Sequence, residues 1–163
     1  MPKNITFVLP SLRIGGAEKF VISFANYLAK RSEFNVNLLL LVSNKKEKKY
    51  VIEDSVNIIS LNSSSTLFSF PKLLLYMWTQ KPDICFSTLV HLNFLISFVC
   101  IFFPKKTVTI IREAAVISSY LSEKKSFWMK LLYRIVYNYP TCVICQSNDM
   151  KKDLVLSGHY LLH

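Results

Sequence analysis

A chain of 163 residues, 52% hydrophobic and 18% charged with only three glycines, has enough apolar surface to bury roughly 70% of its unfolded area in one compact domain, which excludes a disordered or low-complexity protein. Twenty Lys and Arg against ten Asp and Glu give a net charge of +10. The lysines fall in pairs (Lys45-Lys46, Lys48-Lys49, Lys105-Lys106, Lys124-Lys125, Lys151-Lys152) at the edges of predicted elements rather than along one stripe, so nucleic acid is disfavoured and a phosphorylated substrate or an anionic lipid surface remains as the balancing partner.

In chain order, short apolar, β-branched runs alternate with helix-like segments, the signature of parallel βαβ units. Ile5–Leu9 predicts a first strand. Residues 16–31 predict a helix, with Phe20, Phe24 and Leu28 at helical spacing beside Val21, Ala25 and Ala29. Val36–Val42 and Val56–Leu61 predict strands separated by the lysine-rich loop 43–52. A helix over 67–79, a strand over Ile84–Ser87 and a helix over 91–103 follow. The longest apolar run, Leu89 to Phe103, contains His91 and Asn93 and is shorter than the roughly 20 residues of a membrane span, so it reads as a buried helix. Thr107–Ile111, a helix over 126–138, Cys142–Cys145 and a helix over 148–156 complete the set, the last helix opened by Ser147-Asn148-Asp149 as capping residues. Most of these strands are near-continuously apolar, as strands buried on both faces are. The expected fold is α/β: a single domain over 1–163, a Rossmann-like parallel sheet flanked by helices. No secretory signal opens the chain, and a cytoplasmic location is expected.

Cys142-Val-Ile-Cys145 has the spacing of a metal or redox pair. On a strand, however, residues three apart point to opposite faces and cannot share one zinc ion. Cys85, Cys100, Cys142 and Cys145 are all expected as reduced core cysteines, with no metal and no cofactor.

The first strand runs into Pro10-Ser-Leu-Arg-Ile-Gly15-Gly16-Ala-Glu18, a loop with paired glycines at a helix start. There the absence of side chains permits close backbone approach, and the helix N-terminus offers unpaired N–H groups to a phosphate. It is not the dinucleotide fingerprint, since Gly-x-Gly-x-x-Gly is missing and no acidic residue ends the second strand; a tight strand-to-helix turn is the plainer reading of the pair. Glu18 suits the helix dipole as a first-turn residue. His91 and Asn93 follow the fourth strand, at the carboxyl edge where open α/β sheets bind ligands. Ser147 is a candidate contact that helix capping alone would explain.

The opening Ile5-Thr-Phe-Val-Leu-Pro-Ser-Leu-Arg-Ile-Gly-Gly-Ala-Glu-Lys resembles the start of the family 4 ("group 1") glycosyltransferases, in which a strand, a Gly-Gly-Ala-Glu loop and a helix recur. Arg112-Glu113, at the end of the strand Thr107–Ile111, is similar to the dipeptide the family places there. Cys142-Val-Ile-Cys-Gln-Ser147-Asn-Asp-Met resembles the strand, serine and helix that close the family's N-terminal domain. Together these features cover nearly the whole chain.

The resemblance implies the N-terminal half of a GT-B fold, two Rossmann-like domains facing a cleft, with the acceptor bound mainly by the first and the nucleotide-sugar mainly by the second. The C-terminal nucleotide-sugar-binding domain, with its pair of glutamates seven residues apart, is expected to be absent from this chain, which would then be inactive alone. The implied activity is transfer of a hexose or N-acetylhexosamine from a nucleotide-sugar to a cell-surface glycan or lipid-linked acceptor, with a C-terminal domain or partner subunit required. Gly15, Gly16 and Arg112 would lie against donor phosphate; Glu18, His91, Asn93, Glu113 and Ser147 are acceptor-side candidates; the catalytic residues are not identified. A non-catalytic binding module or partner subunit of a glycosyltransferase is the alternative. The helix carrying Trp128, Leu131, Leu132 and Ile135 between Lys124, Lys125, Lys130 and Arg134 reads either as a layer helix or as a peripheral contact with an anionic membrane.

Overall fold

The fold was analysed in a computed structural model that describes residues 1–42, 50–102, 107–114, 131 and 134–156. Six strands, β1 (Lys3–Leu9), β2 (Phe34–Val42), β3 (Val56–Ser63), β4 (Ile84–Thr88), β5 (Val108–Glu113) and β6 (Cys142–Cys145), stand where the apolar runs predict them. All pair in parallel, in the order β3-β2-β1-β4-β5-β6. The fold is Rossmann-like α/β. Winding runs outward in one direction from β1 and in the other from β4, so the crevice between their carboxyl ends is the switch point where such sheets bind ligands.

Helix α1 (Gly16–Ala29) covers one face of the sheet, burying Val21, Ile22 and Ala25 against Ile5, Phe7, Leu9, Leu38 and Phe86. Aromatic rings fill the α1 end of this layer, with Phe7 5.5 Å from both Phe24 and Phe86, distances typical of favourable edge and tilted contacts. Helices α2 (Phe70–Gln80) and α3 (Val90–Cys100) cover the other face, closing on Val8, Leu39, Leu41 and Ile111 through Leu73, Met77, Leu92, Ile96 and Val99. Helix α4 (Asn148–Leu156) follows β6.

Residues 67–79 do not form one helix as their periodicity suggests: a 3-10 turn at Leu67–Ser69 precedes α2. Pro71, in the first turn of α2, has no N–H to continue a ladder from the preceding turn, so a proline is accommodated at a helix start and not within one. Lys81 ends α2 in the left-handed region (φ 43°), and Pro82 follows. Helix α3 buries residues around most of its circumference, including Val90, Leu92, Asn93, Leu95, Ile96, Ser97 and Val99, which is why its sequence is apolar on all sides. Among the described residues no helix is long and apolar enough to cross a membrane.

One expectation is corrected. All four cysteines are free, but Cys85 alone is buried; Cys100 and Cys145 are half-buried and Cys142 is exposed. The reason is position. β6 is an edge strand, and on its α1 side, where Cys142 and Ile144 alternate, no described element packs across β5 and β6, so Val108 and Ile144 are exposed there as well. Burial pushes the Cys100 thiol up to about 11, an unreactive state at neutral pH.

The core on the α2–α3 side is tightest at the central strands, where Leu39 and Leu41 of β2 are fully buried. Leu39→Ala is expected to lower unfolding free energy by about 2–5 kcal/mol, read as an earlier midpoint with an unchanged slope in urea denaturation.

Candidate functional site

The β1–α1 loop opens the crevice on one side. Gly15 caps α1 in extended conformation (φ −163°, ψ 159°), so neither turn geometry nor a positive φ demands glycine. A Cβ built there would instead run into the Glu18 carboxylate, which folds back over the helix start, the position of the acidic partner in a capping box. At Gly16 a Cβ would meet nothing within 4 Å; the free fold has no need of glycine there.

The sequence gives no warning of what holds this loop. Tyr50, at the far end of the lysine-rich connection, places its hydroxyl in the loop mouth, where it accepts from the Gly15 N–H (2.9 Å) and reaches the Arg13 and Gly15 carbonyls (3.2 Å each). The Gly15 amide is thus occupied by a protein oxygen. Lys45, Lys46, Lys48 and Lys49 lie outside the described residues.

Across the crevice, β4 turns into α3 through Leu89, whose φ of 85° and ψ of 125° are unfavourable for a residue with a Cβ. Such strain is worth about 1–3 kcal/mol and collects at functional sites. It sets His91 in the first turn of α3. The imidazole is near enough to Glu18 to feel its charge: partial burial holds His91 below its usual range, and Glu18 pulls it partway back. His91 is therefore biased toward the neutral form at pH 7, able to accept a proton.

Arg112 and Glu113 are neighbours in sequence but not in space. Both belong to β5 rather than following it, and strand alternation sends them to opposite faces. Arg112 stands on the α1 side, its guanidinium 4.2 Å from the Phe20 ring centroid and Nη1 donating to Thr88 Oγ1 at 3.3 Å. No carboxylate pairs with it among the described residues. A half-buried arginine stacked on an aromatic ring keeps its remaining donors for an anion.

Glu113 points the other way and is 1% exposed. Its Oε1 accepts from Asn93 Nδ2 (2.7 Å) and from the Tyr137 hydroxyl (2.8 Å), while Oε2 has no partner among the described residues. Asn93, also fully buried, accepts from Ser87 Oγ (2.8 Å) and donates to the Arg112 carbonyl (2.9 Å). The two acceptor-side candidates Asn93 and Glu113 therefore lie beneath the crevice edge as a network that fixes the Arg112 backbone, and their side chains are not available on its surface. Burial raises the Glu113 carboxyl above its ordinary range, with the Asn93 and Tyr137 hydrogen bonds opposing.

Ser147 caps α4, accepting from the Met150 N–H at 3.2 Å, and with Gln146 and Lys151 lines a separate groove of about 540 Å3. Its strand, β6, is two strands from β4, about 10 Å at the usual spacing. Gly15, Gly16, Glu18, His91 and Arg112 therefore line the switch-point crevice, Asn93 and Glu113 support it, and Ser147 stands apart. Tyr50, Phe20, Thr88 and Leu89 are the contributors that residue patterns did not single out.

No protein-family model matches the sequence, and no curated protein is found similar to it. Among solved structures the chain is similar to sucrose-phosphate synthase from Thermosynechococcus elongatus, with a TM-score of 0.70 and 11% identity over 94% of this chain and 45% of that one. A second structure of that enzyme from the same organism gives a TM-score of 0.61 and 9% identity over 93% of this chain and 81% of the other. The chain spans about 45% of the length of the first of these. At such identities the likeness is one of fold alone, a Rossmann-like α/β sheet flanked by helices.

Two measurements check this geometry. Glu18→Gln removes the charge that supports the His91 imidazolium, so the His91 titration midpoint, followed by NMR of its ring, is expected to move further down. For Glu113 the sign is opposite to that of an ion-paired carboxylate. A raised folded value means the folded state holds the proton more tightly, so its stabilising contribution is full below the ordinary 4.5 and is lost as pH rises through the folded value. Glu113→Gln, which keeps a neutral acceptor in place, is expected to flatten that decline in urea-derived stability and to be relatively most favourable at alkaline pH.

Proposed function

We propose that the chain is the acceptor-side half of a GT-B glycosyltransferase that moves a hexose or N-acetylhexosamine from a nucleotide-sugar to a cell-surface glycan or lipid-linked acceptor, working with a C-terminal domain or partner subunit. The observation that carries this reading is the convergence of Gly16, His91 and Arg112 on one crevice, in a fold shared with sucrose-phosphate synthase, a glycosyltransferase of the GT-B kind.

Each residue then has a physical task. A donor pyrophosphate held chiefly by the opposing domain would come against the α1 N-terminus, where Gly16 leaves room for it and the helix dipole favours negative charge. The Tyr50 hydroxyl occupies the Gly15 amide in the free chain, as a ligand oxygen would. Arg112, held rigid by Phe20 below and Asn93 behind, would balance phosphate charge as the glycosidic bond to the donor breaks, a stabilisation that needs no reorganisation at that moment. Neutral His91 beside Glu18 is placed to accept a hydrogen bond from an acceptor hydroxyl and, with Glu18 near, to tolerate the proton. Exposed Ile14, at 61%, gives the loop an apolar tip for the opposing domain.

Peripheral membrane contact remains part of the proposal through the net charge of +10. Trp128 and Lys124, Lys125 and Lys130 lie outside the described residues; of the same segment, Leu131 and Ile135 are exposed, at 36% and 48%, while Val136 and Tyr137 are buried.

The test is reconstitution: this chain with a C-terminal donor domain supplied in cis or in trans, assayed for transfer from radiolabelled nucleotide-sugars. Arg112→Ala is expected to reduce turnover by roughly 10²-fold or more, the usual cost of removing one transition-state donor, while leaving the thermal midpoint of the chain within a few degrees. Unchanged turnover would remove Arg112 from the site, and nucleotide-sugar hydrolysis or transfer undetectable in every reconstituted form would favour a non-catalytic binding module.

A further inference from the structure

At the opposite edge of the sheet from the crevice, strands β1–β3 break their own pattern. On the face that farther along carries Val8, Leu39, Leu41 and Ile59, the amino ends of these strands carry Asn4, Thr6, Asn35, Asn37 and Asn57. Asparagine is among the residues least suited to strands, and five polar residues in a two-dimensional array are not a capping or turn requirement. The register makes them a grid: Asn4 is opposite Asn35, and Thr6, Asn37 and Asn57 form the next row across three strands. Spacing is about 4.8 Å across strands and about 6.7 Å along them.

The amides bond pairwise, Asn35 Nδ2 to Asn4 Oδ1 at 3.1 Å and Asn57 Nδ2 to Asn37 Oδ1 at 3.0 Å. Each pair uses one donor and one acceptor of an inventory of four donor hydrogens and four acceptor lone pairs, leaving both kinds exposed. Thr6 forms the floor, fully buried and bonded to the Tyr76 hydroxyl at 3.1 Å. Gln80, from the last turn of α2, adds a fifth amide at the wall.

Together they line a groove of about 540 Å3, within the usual range of roughly 300–1,000 Å3 for small-ligand sites. Amides dominate the groove. Arg31 is the one charged residue lining it, and its guanidinium is turned onto the Tyr27 ring, 4.8 Å from the centroid, and bonded to the Tyr27 hydroxyl. An apolar ligand would strand the amides. Mixed donors and acceptors at regular spacing suit a ligand that offers the same mixture, a chain of hydroxylated rings.

We propose that this amide-lined groove binds a neutral oligosaccharide at a site separate from the crevice. Because it stands at the other end of the strands, it would hold a glycan segment away from the reacting end. The site does not depend on the transfer reading, since binding to the chain alone is the measurement.

The experiment is titration of the isotopically labelled full chain with maltotriose, with N,N′,N″-triacetylchitotriose and, as an anionic control, with trigalacturonate, followed by backbone and side-chain amide NMR. The expected result is saturable shifts at the Asn35, Asn37 and Asn57 side-chain amides for one of the neutral sugars, with a Kd of about 1 mM or below, and none for trigalacturonate. Asn37→Val with Asn57→Val is expected to weaken that binding by roughly tenfold or more, as two donor–acceptor pairs are lost. The same variant should melt no lower than the parent, because valine is the better strand residue. Asn35→Val, examined separately, guards against misfolding of the double variant. The proposal is overturned if neither neutral sugar gives saturable shifts up to about 10 mM. It is equally overturned if shifts fall at Gly15 and His91 with the groove silent, if trigalacturonate binds as well, or if both variants bind as the parent does.

Discussion

The side-chain amide of Asn93 ties the start of α3 to the carboxyl ends of β4 and β5 at once. From the first turns of α3 it accepts from Ser87 on β4 and donates to the main chain of Arg112 and the side chain of Glu113 on β5. Buried hydrogen bonds of this kind are worth little more than about 1 kcal/mol each when satisfied, but leaving one partner unpaired costs considerably more. The network is therefore a constraint on geometry more than a source of stability: while it is intact, the carboxyl end of β5 has one permitted position relative to α3. Arg112 inherits that position. Its guanidinium is then steadied from the other side by Phe20 and Thr88, so this cation is fixed at the crevice through both its backbone and its side chain.

That precision matters because the chain has excess positive charge nearly everywhere. Ten net charges raise the encounter rate with any polyanion but select none. Selection needs a cation that is held, partly desolvated and unpaired, and Arg112 meets those conditions among the described residues. Glu18 plays the opposite part across the crevice. It sits at the helix start where negative charge is welcome, and it partly offsets the lowering of the His91 imidazole by burial. A buried carboxyl below, Glu113, is held toward its neutral form, so the network supports Arg112 without cancelling its charge.

The architecture was legible in the sequence and much of the site was not, for different physical reasons. Strands buried on both faces must be apolar at nearly every position, a signal that survives without knowledge of partners; β2 and β4 were readable for that reason, and the switch point follows from the order of strands and helices. The Gly15-Gly16 pair and His91 were visible as chemistry at strand ends. Arg112 and Glu113 were visible only as a dipeptide. Whether they act together depends on whether the strand stops before them or continues through them, and a shift of two residues in a strand boundary decides it. Tyr50 lay hidden because its role comes from a contact 35 residues away in sequence, and Phe20 because a ring that packs on Arg112 is indistinguishable, by periodicity, from one that packs in the core.

Three features remain that the folded chain does not require. Gly16 adopts a conformation open to any residue, with free space where a side chain would go. Leu89 holds a positive φ that a glycine would accept without strain. Asparagines occupy strand positions where β-branched residues would be more stable. A sequence selected for stability alone would tend to lose each of these, since local choices in natural proteins generally agree with the global fold and exceptions gather at functional sites. Two of the three flank the switch-point crevice, on α1 and at the start of α3. The third lies at the other end of the same strands. The departures from local consistency thus mark both ends of the sheet and spare its middle, where Leu39, Leu41 and Phe7 obey every packing rule. A sheet that is regular in its centre and irregular at both edges is what a molecule would show if its core served only to hold two separate binding surfaces at a fixed distance.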